Sequence, residues 1–548
     1  MKTLLSLLLI SAFIVSCNNM GRQPTSEIDA DALELLSPQT YVEHIKTLSS
    51  DAFQGRLPGS EGETKTIAYI KEQFQQAGLK PGNGDKYFQE VPLVEVKSIP
   101  DSSLTIEGEK GKLRLSYPAD YVVGSRIQDK AIDIKDSELI FVGFGIVAPE
   151  YDWNDYKDID VKGKTVVVMV NDPGYYDKSL FKGETMTYYG RWTYKYEEAA
   201  RQGAAGVIII HDTGAASYGW DVVRSGWTGP QMVLSSEGKG PELTAFEGWI
   251  STESAKKLFA LAEIPEEFIE SAKKPGFKAV DLKLQTTLHI QNKIKQYTSN
   301  NVLGKIEGSK RPDEVIIYSA HWDHLGIGEA IQGDSIYNGA IDNATGTAAL
   351  LEMAKVFRAA AVPPERTILF LALTAEEQGL LGSEYYASHP VFSLDKTVAD
   401  INIDALSAEG RTKDITIIGY GQSELDHYAE EAAEFQGRRL TQDPNPSSGA
   451  FFRSDHFNFA KVGVPALYAG SGTLYTDTSA VAKHKRSSFE GTYHSPNDEY
   501  NPENWEISGL MENLKFFIHI GYALSMETTF PTWKAGSEFK ETGKKRFE

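Results

Sequence analysis

Apolar and polar positions along this chain follow two periods, and the switches between them mark its elements. Val315-Ile316-Ile317-Tyr318-Ser319 is a β-branched run behind the charged Arg311-Pro312-Asp313-Glu314, which predicts a buried strand. Beyond it Leu350, Met353, Ala354 and Phe357 recur at helical spacing, so a helix opens near Thr345 and Gly346. Further strand-like runs, Thr367–Leu373, Ala399–Ile403, Ile415–Ile418 and Pro465–Tyr468, alternate with helical stretches from Asn301 to about Met526. This alternation predicts an α/β fold, a doubly wound, largely parallel sheet with helices on both faces. Such sheets bind ligands in the crevice outside the C-terminal ends of their strands, where His321 and Asp342 would meet.

Upstream, Tyr41, Ile45 and Leu48 begin one helix, and Ile67, Ile70, Phe74 and Ala77 line a second that stops at Gly78, with Gly55-Arg56-Leu57-Pro58-Gly59-Ser60 between them. Between about Glu138 and Leu284 the grain changes. Thr165–Val170 and Gly206–Ile210 read as buried strands, with a short helix ending at Gly203 before the second. A small α/β module is therefore expected inside a larger domain. Its Tyr188–Tyr196 segment is rich in aromatics, suited either to core packing or to a wall over the crevice. The predicted division is a targeting segment at 1–17, a polar tether at 18–37, a first part of the main domain at 38–137, the inserted module at 138–290, a second part at 291–528, and a polar tail at 529–548.

Length and charge narrow the partners. A chain of 548 residues exceeds one ordinary core, and 41% apolar with 11% aromatic content suits a folded protein. The net charge of −21 argues against nucleic acid and against an anionic membrane surface, both of which need a basic face. Lys2, the apolar stretch Leu4–Val15 and Ser16-Cys17 form a signal peptide too short to span a bilayer. Ile14-Val15-Ser16-Cys17 resembles a bacterial lipoprotein cleavage box, which implies acylation of Cys17, membrane attachment through that lipid, and a place in the cell envelope on the periplasmic side or the cell surface. Because Cys17 is the chain's one cysteine, internal disulfides, thiol catalysis and cysteine-ligated zinc are excluded.

Besides His321 and Asp342, four places carry ligand-type residues after strands or in loops: Glu376-Glu377, Asp404, Arg453-Ser454-Asp455-His456, and Tyr493-His494 leading to Asp498. Each alone has an ordinary explanation as a solvated face or a hydrogen-bonded histidine. Together they supply the nitrogen and oxygen ligands that zinc accepts, with carboxylates able to bridge two ions.

His321-x-Asp323, Gly339-x-x-Asp342-Asn343-x-x-Gly346, Glu376-Glu377, Asn402-x-Asp404 and Tyr493-His494-Ser495-Pro496-x-Asp498 resemble, in order, the five motifs of the co-catalytic double-zinc exopeptidases, a family of bacterial aminopeptidases, glutamate carboxypeptidases and the transferrin receptor. The resemblance spans about Tyr41 to Ala523, and the inserted segment is similar to a protease-associated domain. It implies two zinc ions bridged by Asp342, one completed by His321 and Asp404, the other by Glu377 and His494. It implies Glu376 as general base, Asp323 as the group that orients His321, a cis Asp342–Asn343 peptide, and Tyr493 as a hydrogen-bond donor to the developing oxyanion.

In that setting two metals bring a shared water to a pKa of about 7, Glu376 takes its proton, and a peptide is the substrate. An aminopeptidase is the first expectation. A carboxypeptidase or dipeptidase would need Arg191, Arg224 or Arg453 to hold a terminal carboxylate; a single-zinc glutaminyl cyclase and an inactive receptor-like protein are further alternatives. The twenty residues between His321 and Asp342 exceed those of compact aminopeptidases, so the mouth of the site is expected to differ. His324 and His456 are read as non-ligands, and the Asn343-Ala344-Thr345 glycosylation match as accidental.

Overall fold

A computed structural model describes residues 27–235, 243–487 and 492–548. The predicted signal peptide, Cys17 and the first part of the tether lie outside the described residues.

One long strand joins the two halves of the molecule. Strand β1 (Phe88–Pro100) pairs antiparallel with β2 (Val280–Ile306), a strand of 27 residues. The first part of β2 alternates, with Leu282, Leu284, Leu288 and Ile290 buried, because one face covers the inserted module and the other meets solvent. Its last residues enter the main sheet, where Val302 and Leu303 are buried against opposite faces.

The centre of that sheet is four parallel strands. They are β3 (Arg311–His321), β4 (Arg366–Leu373), β5 (Thr397–Asn402) and β6 (Ala466–Ser471), in the order β4-β3-β5-β6. The flanks are antiparallel: β2 on β4, and Asp414–Ile418 on β6. Ile316, Tyr318 and Ala320 of β3 face a core built with helix α1 (Thr345–Ala359) and helix α2 (Ile507–Met526), while Val315 and Ile317 face a second core holding Tyr386 and Phe459. Burial of both faces explains why these strands read as unbroken apolar runs. The fold is the predicted α/β class, a mixed sheet with a parallel centre.

The inserted module has its own parallel strands. Thr165–Met169 and Gly206–Ile210 pair side by side, and Phe246–Ile250 follows on the far side of Gly206–Ile210. Its lower boundary differs from the expected 138. Leu104, Ile106, Leu115 and Tyr121 share a hydrophobic cluster with Phe141, Phe246 and Leu284, so the strands from Ser103 onward belong to the module. The apolar face of the Ser103–Ser116 hairpin points there and has no counterpart in the main core.

The tail, predicted only as polar, packs. Trp533 and Phe539 are buried with Met186 of the module and Phe451, Phe452 and Phe457 of the main domain. The Tyr188 backbone N–H donates to Glu538 at 3.2 Å, and Tyr188 meets Phe457 edge to face at 5.1 Å. The aromatic segment is thus a seam between module and main domain.

Candidate metal centre

Every ligand-type residue singled out in the parallel strands lies at a C-terminal strand end or in the turn just beyond. His321 closes β3, Glu376 and Glu377 follow β4, and Asp404 follows β5. Asp342 sits in the turn Ala340–Ala344 before α1, and His494 arrives from the loop ahead of α2. Non-glycine residues with positive φ cluster here: Ala375, Ala405 and His494 itself. These sparsely populated conformations turn the chain sharply beside the ligand positions, and such residues concentrate at functional sites.

The side chains converge as two groups sharing Asp342. His321 Nε2 lies 3.2 Å from Asp342 Oδ1 and 3.2 Å from Asp404 Oδ1. His494 Nε2 lies 3.3 Å from Asp342 Oδ2 and 3.0 Å from Glu377 Oε2. Two ligands about 2.0–2.1 Å from one tetrahedral ion stand roughly 3.3 Å apart. The spacing therefore fits ions held between the groups. His494 Nε2 is buried with no hydrogen bond of good geometry and faces the Asp342 and Glu377 carboxylates. His324, Asp342 and Glu377 form a further overlapping group with ligand atoms within 4.8 Å of one another.

A frame of buried polar groups holds this geometry. The Asp498 carboxylate accepts the backbone N–H groups of Ile341 and Asp342 at 2.9 and 3.0 Å. Asn343 donates to the Ile403 carbonyl at 2.9 Å and accepts from Gly346 N–H at 2.9 Å and Ala405 N–H at 3.2 Å, linking the Asp342 turn to the end of β5. A Cβ on Gly346 would run into the Ile403 carbonyl and the Asn343 side chain, so only glycine permits this approach. The Asp342–Asn343 peptide is cis.

Arg56, buried at 1% exposure, donates to the carbonyls of Leu48, Trp322, Asn338 and Gly339 at 2.6–2.8 Å. It fastens the Gly55–Ser60 turn to both flanks of the His321–Asp342 loop. Ser454 donates to Asp404 Oδ2 at 2.5 Å and accepts from Asn402 Nδ2 at 2.6 Å.

Asp323 does a different job from the one expected of its carboxylate. The His321 Nδ1–H donates to the Asp323 backbone carbonyl at 3.1 Å, and the carboxylate stands 3.8 Å away. The carboxylate instead accepts the backbone N–H groups of Glu376 at 3.0 Å and Glu377 at 3.4 Å, aiming the two glutamates. Burial pushes it up to about 8.

Charge follows from burial and pairing. Burial would raise the Asp342 carboxyl, but the His321 and His494 imidazoles hold it well below the usual range. Burial would lower both imidazoles, yet the facing carboxylates lift His321 well above its ordinary value and His494 to about 10. Glu376 is raised well above its ordinary value, first by burial and then by Asp404 and Glu377, against the opposing pull of His321.

The remaining candidates fall outside the ligand groups. Tyr493 is 72% exposed, its ring stacked on His494 at 3.8 Å. His456 is fully buried between Phe451 and Tyr468, with neither ring nitrogen hydrogen-bonded, and burial lowers it to about 3. Arg191 lies over Trp192, Arg453 donates to the Ser448 carbonyl at 2.8 Å, and Arg224 is exposed. Sequence reasoning gave Arg56, Ser454 and Asp498 no role. Arg56 in a Gly-Arg-Leu-Pro-Gly turn and Asp498 four residues after His494 were visible as motif members, but their backbone partners were not.

A model of peptidase family M28 matches residues 301–516, the stretch that carries every ligand-type residue of the two groups. Residues 301–516 are thus a peptidase family M28 region. The chain is 35% identical to mouse aminopeptidase NAALADL1 over 125 residues, 22% of this chain and 15% of that protein. The probable leucine aminopeptidase 2 of Aspergillus oryzae is 23% identical over 471 residues, 83% of this chain and 77% of that protein. Among solved structures, the aminopeptidase from Aneurinibacillus sp. strain AM-1 aligns with TM-score 0.48 and 18% identity over 90% of this chain and 95% of that one.

Proposed function

We propose that this chain is a zinc-dependent exopeptidase holding two zinc ions, and that it acts as an aminopeptidase. The observation that carries the reading is Asp342, which offers one carboxylate oxygen to each of two ligand groups. His321 and Asp404 complete one group, Glu377 and His494 the other. Bound zinc supplies a water acidified to a pKa of about 7 and polarises a carbonyl.

The chain supplies the rest. Glu376, aimed by Asp323, takes the water proton and returns it to the leaving amine. Tyr493, exposed and stacked on His494, donates to the oxygen of the scissile carbonyl in this reading. The aminopeptidase reading is supported by the two relatives named above, both called aminopeptidases.

A carboxypeptidase reading is favoured by Arg191, whose Nε is buried without a hydrogen-bond partner and which feels the Arg453 charge. Hydrolysis of free, N-acetylated and C-amidated peptides, with and without chelator, decides between them. Chelator-sensitive cleavage blocked by acetylation alone is expected. Blocking by amidation alone would transfer the reading to carboxypeptidase.

The proposal includes an envelope lipoprotein anchored through Cys17. Asp29 accepts the Ala361 N–H at 2.8 Å, just past the C-terminal end of α1, whereas Thr345 at its start adjoins the ligands. A helix of 15 residues is about 22 Å long, so Asp29 lies at the end of α1 away from the site. Among the described residues no helix is long and apolar enough to cross a membrane. Cys17→Ser is expected to abolish fatty-acid labelling and release the protein from the membrane fraction.

A further inference from the structure

We propose that His324 is a positioning residue that divides the two oxygens of Glu377, holding one so that the other faces the second metal position. The inference rests on the two-metal reading above.

His324 Nδ1 lies 2.6 Å from Glu377 Oε1, while Glu377 Oε2 is the oxygen 3.0 Å from His494 Nε2. The carboxylate accepts, so Nδ1 carries the proton. The distance separates this contact from the ligand pairs. Ligands of one zinc ion stand roughly 3.3 Å apart, as the 3.0–3.3 Å pairs here do, whereas about 2.7–2.9 Å is the range of a charge-assisted N–H···O bond. His324 at 2.6 Å belongs with the second kind. A ring nitrogen that donates a proton cannot also ligate.

The ring is seated for this single bond. His324 is fully buried, and its Nε2 has no hydrogen-bond partner, leaving the Glu377 contact as its one side-chain hydrogen bond. Gly339, at φ 56°, makes the room: a Cβ there would lie 2.6 Å from ring atoms Cγ and Cδ2. Arg56 holds that glycine through its carbonyl at 2.8 Å, and the His324 ring meets His494 edge to face at 5.8 Å. The neighbours therefore fix the ring's place and leave Nδ1 aimed at Glu377. A hydrogen bond of this kind fixes a ligating carboxylate and sustains metal affinity about 10–100-fold.

The test counts and weighs metal ions directly, by equilibrium dialysis of zinc against wild type, His324→Leu, His324→Asn and His324→Gln, with thermal unfolding to verify folding. Asn places an amide N–H where Nδ1 stands; Gln places it where Nε2 stands. Wild type is expected to hold two ions. The Leu and Gln variants should bind the second ion about 10–100-fold more weakly with the first unchanged, and Asn should stay close to wild type. Should Leu fail to fold, the Asn and Gln pair carries the same contrast. Unchanged second-ion affinity in Leu or Gln would overturn the proposal, and so would loss in Asn equal to that in Gln, which would make the imidazole a ligand. A wild type holding fewer than two ions would instead overturn the two-metal reading itself.

Discussion

Arg56 is a guanidinium whose hydrogen bonds all go to backbone carbonyls. Burial costs it charge stability and lowers it to about 10, while Asp498, Asp323 and Asp342 support the charge from a distance. Replacing it with Met would strand four buried carbonyls at about 1–3 kcal/mol each. A fall of at least about 3 kcal/mol in stability is expected, read by chemical denaturation. Glu376→Gln should keep the fold and its metals while losing at least about 10²-fold in turnover, the scale of a general base.

The imidazoles give a further residue-scale prediction. His321 and His494 are raised above their ordinary value, so both carry protons at neutral pH in the metal-free protein. Their pairing stabilises the metal-free fold below the unfolded-state value and loses that effect as pH rises past about 10 for His494. Because metal displaces those protons, zinc addition at pH 7 should release about two protons per chain, and affinity should rise with pH. A weakly buffered titration measures both.

At the scale of elements, the metal centre depends on how closely the start of α1 approaches the end of β5. Gly346 and Asn343 set that distance. Gly346→Ala is expected to push the helix off the strand, separating Asp342 from Asp404 and weakening metal binding at least about tenfold, the scale of losing a supporting group. Zinc dialysis at constant fold, checked by circular dichroism, reads it. The strands themselves were legible in the sequence because burial on both faces writes apolar runs, and α1 because its apolar spacing is helical. The module's lower boundary was not, since the strands after Ser103 carry no local mark of which core they cover.

At the scale of the whole molecule, β2 and the C-terminal tail hold module and main domain together. The tail contributes Trp533 and Phe539 to a cluster with Met186 and Phe457, and Lys182 pairs with Glu538. Trp533→Ala should cost about 3–5 kcal/mol at that cluster and loosen the module first. Limited proteolysis is expected to cut the module's seam earlier than in wild type; an unchanged pattern would place the seam's strength elsewhere.

By itself the sequence determined the α/β class, the identity of the ligand-type residues and their order, because strand ends and helix starts are local patterns and metal chemistry restricts side-chain types. Tertiary structure decided what no local pattern encodes. It showed Asp342 splitting its oxygens between two groups, Asp323 aiming glutamates through their backbone N–H groups, His324 engaging Glu377, and Arg56 clamping carbonyls up to 283 positions away. These depend on distances between segments remote in the chain, and on buried polar groups whose partners are backbone atoms carried by every residue alike.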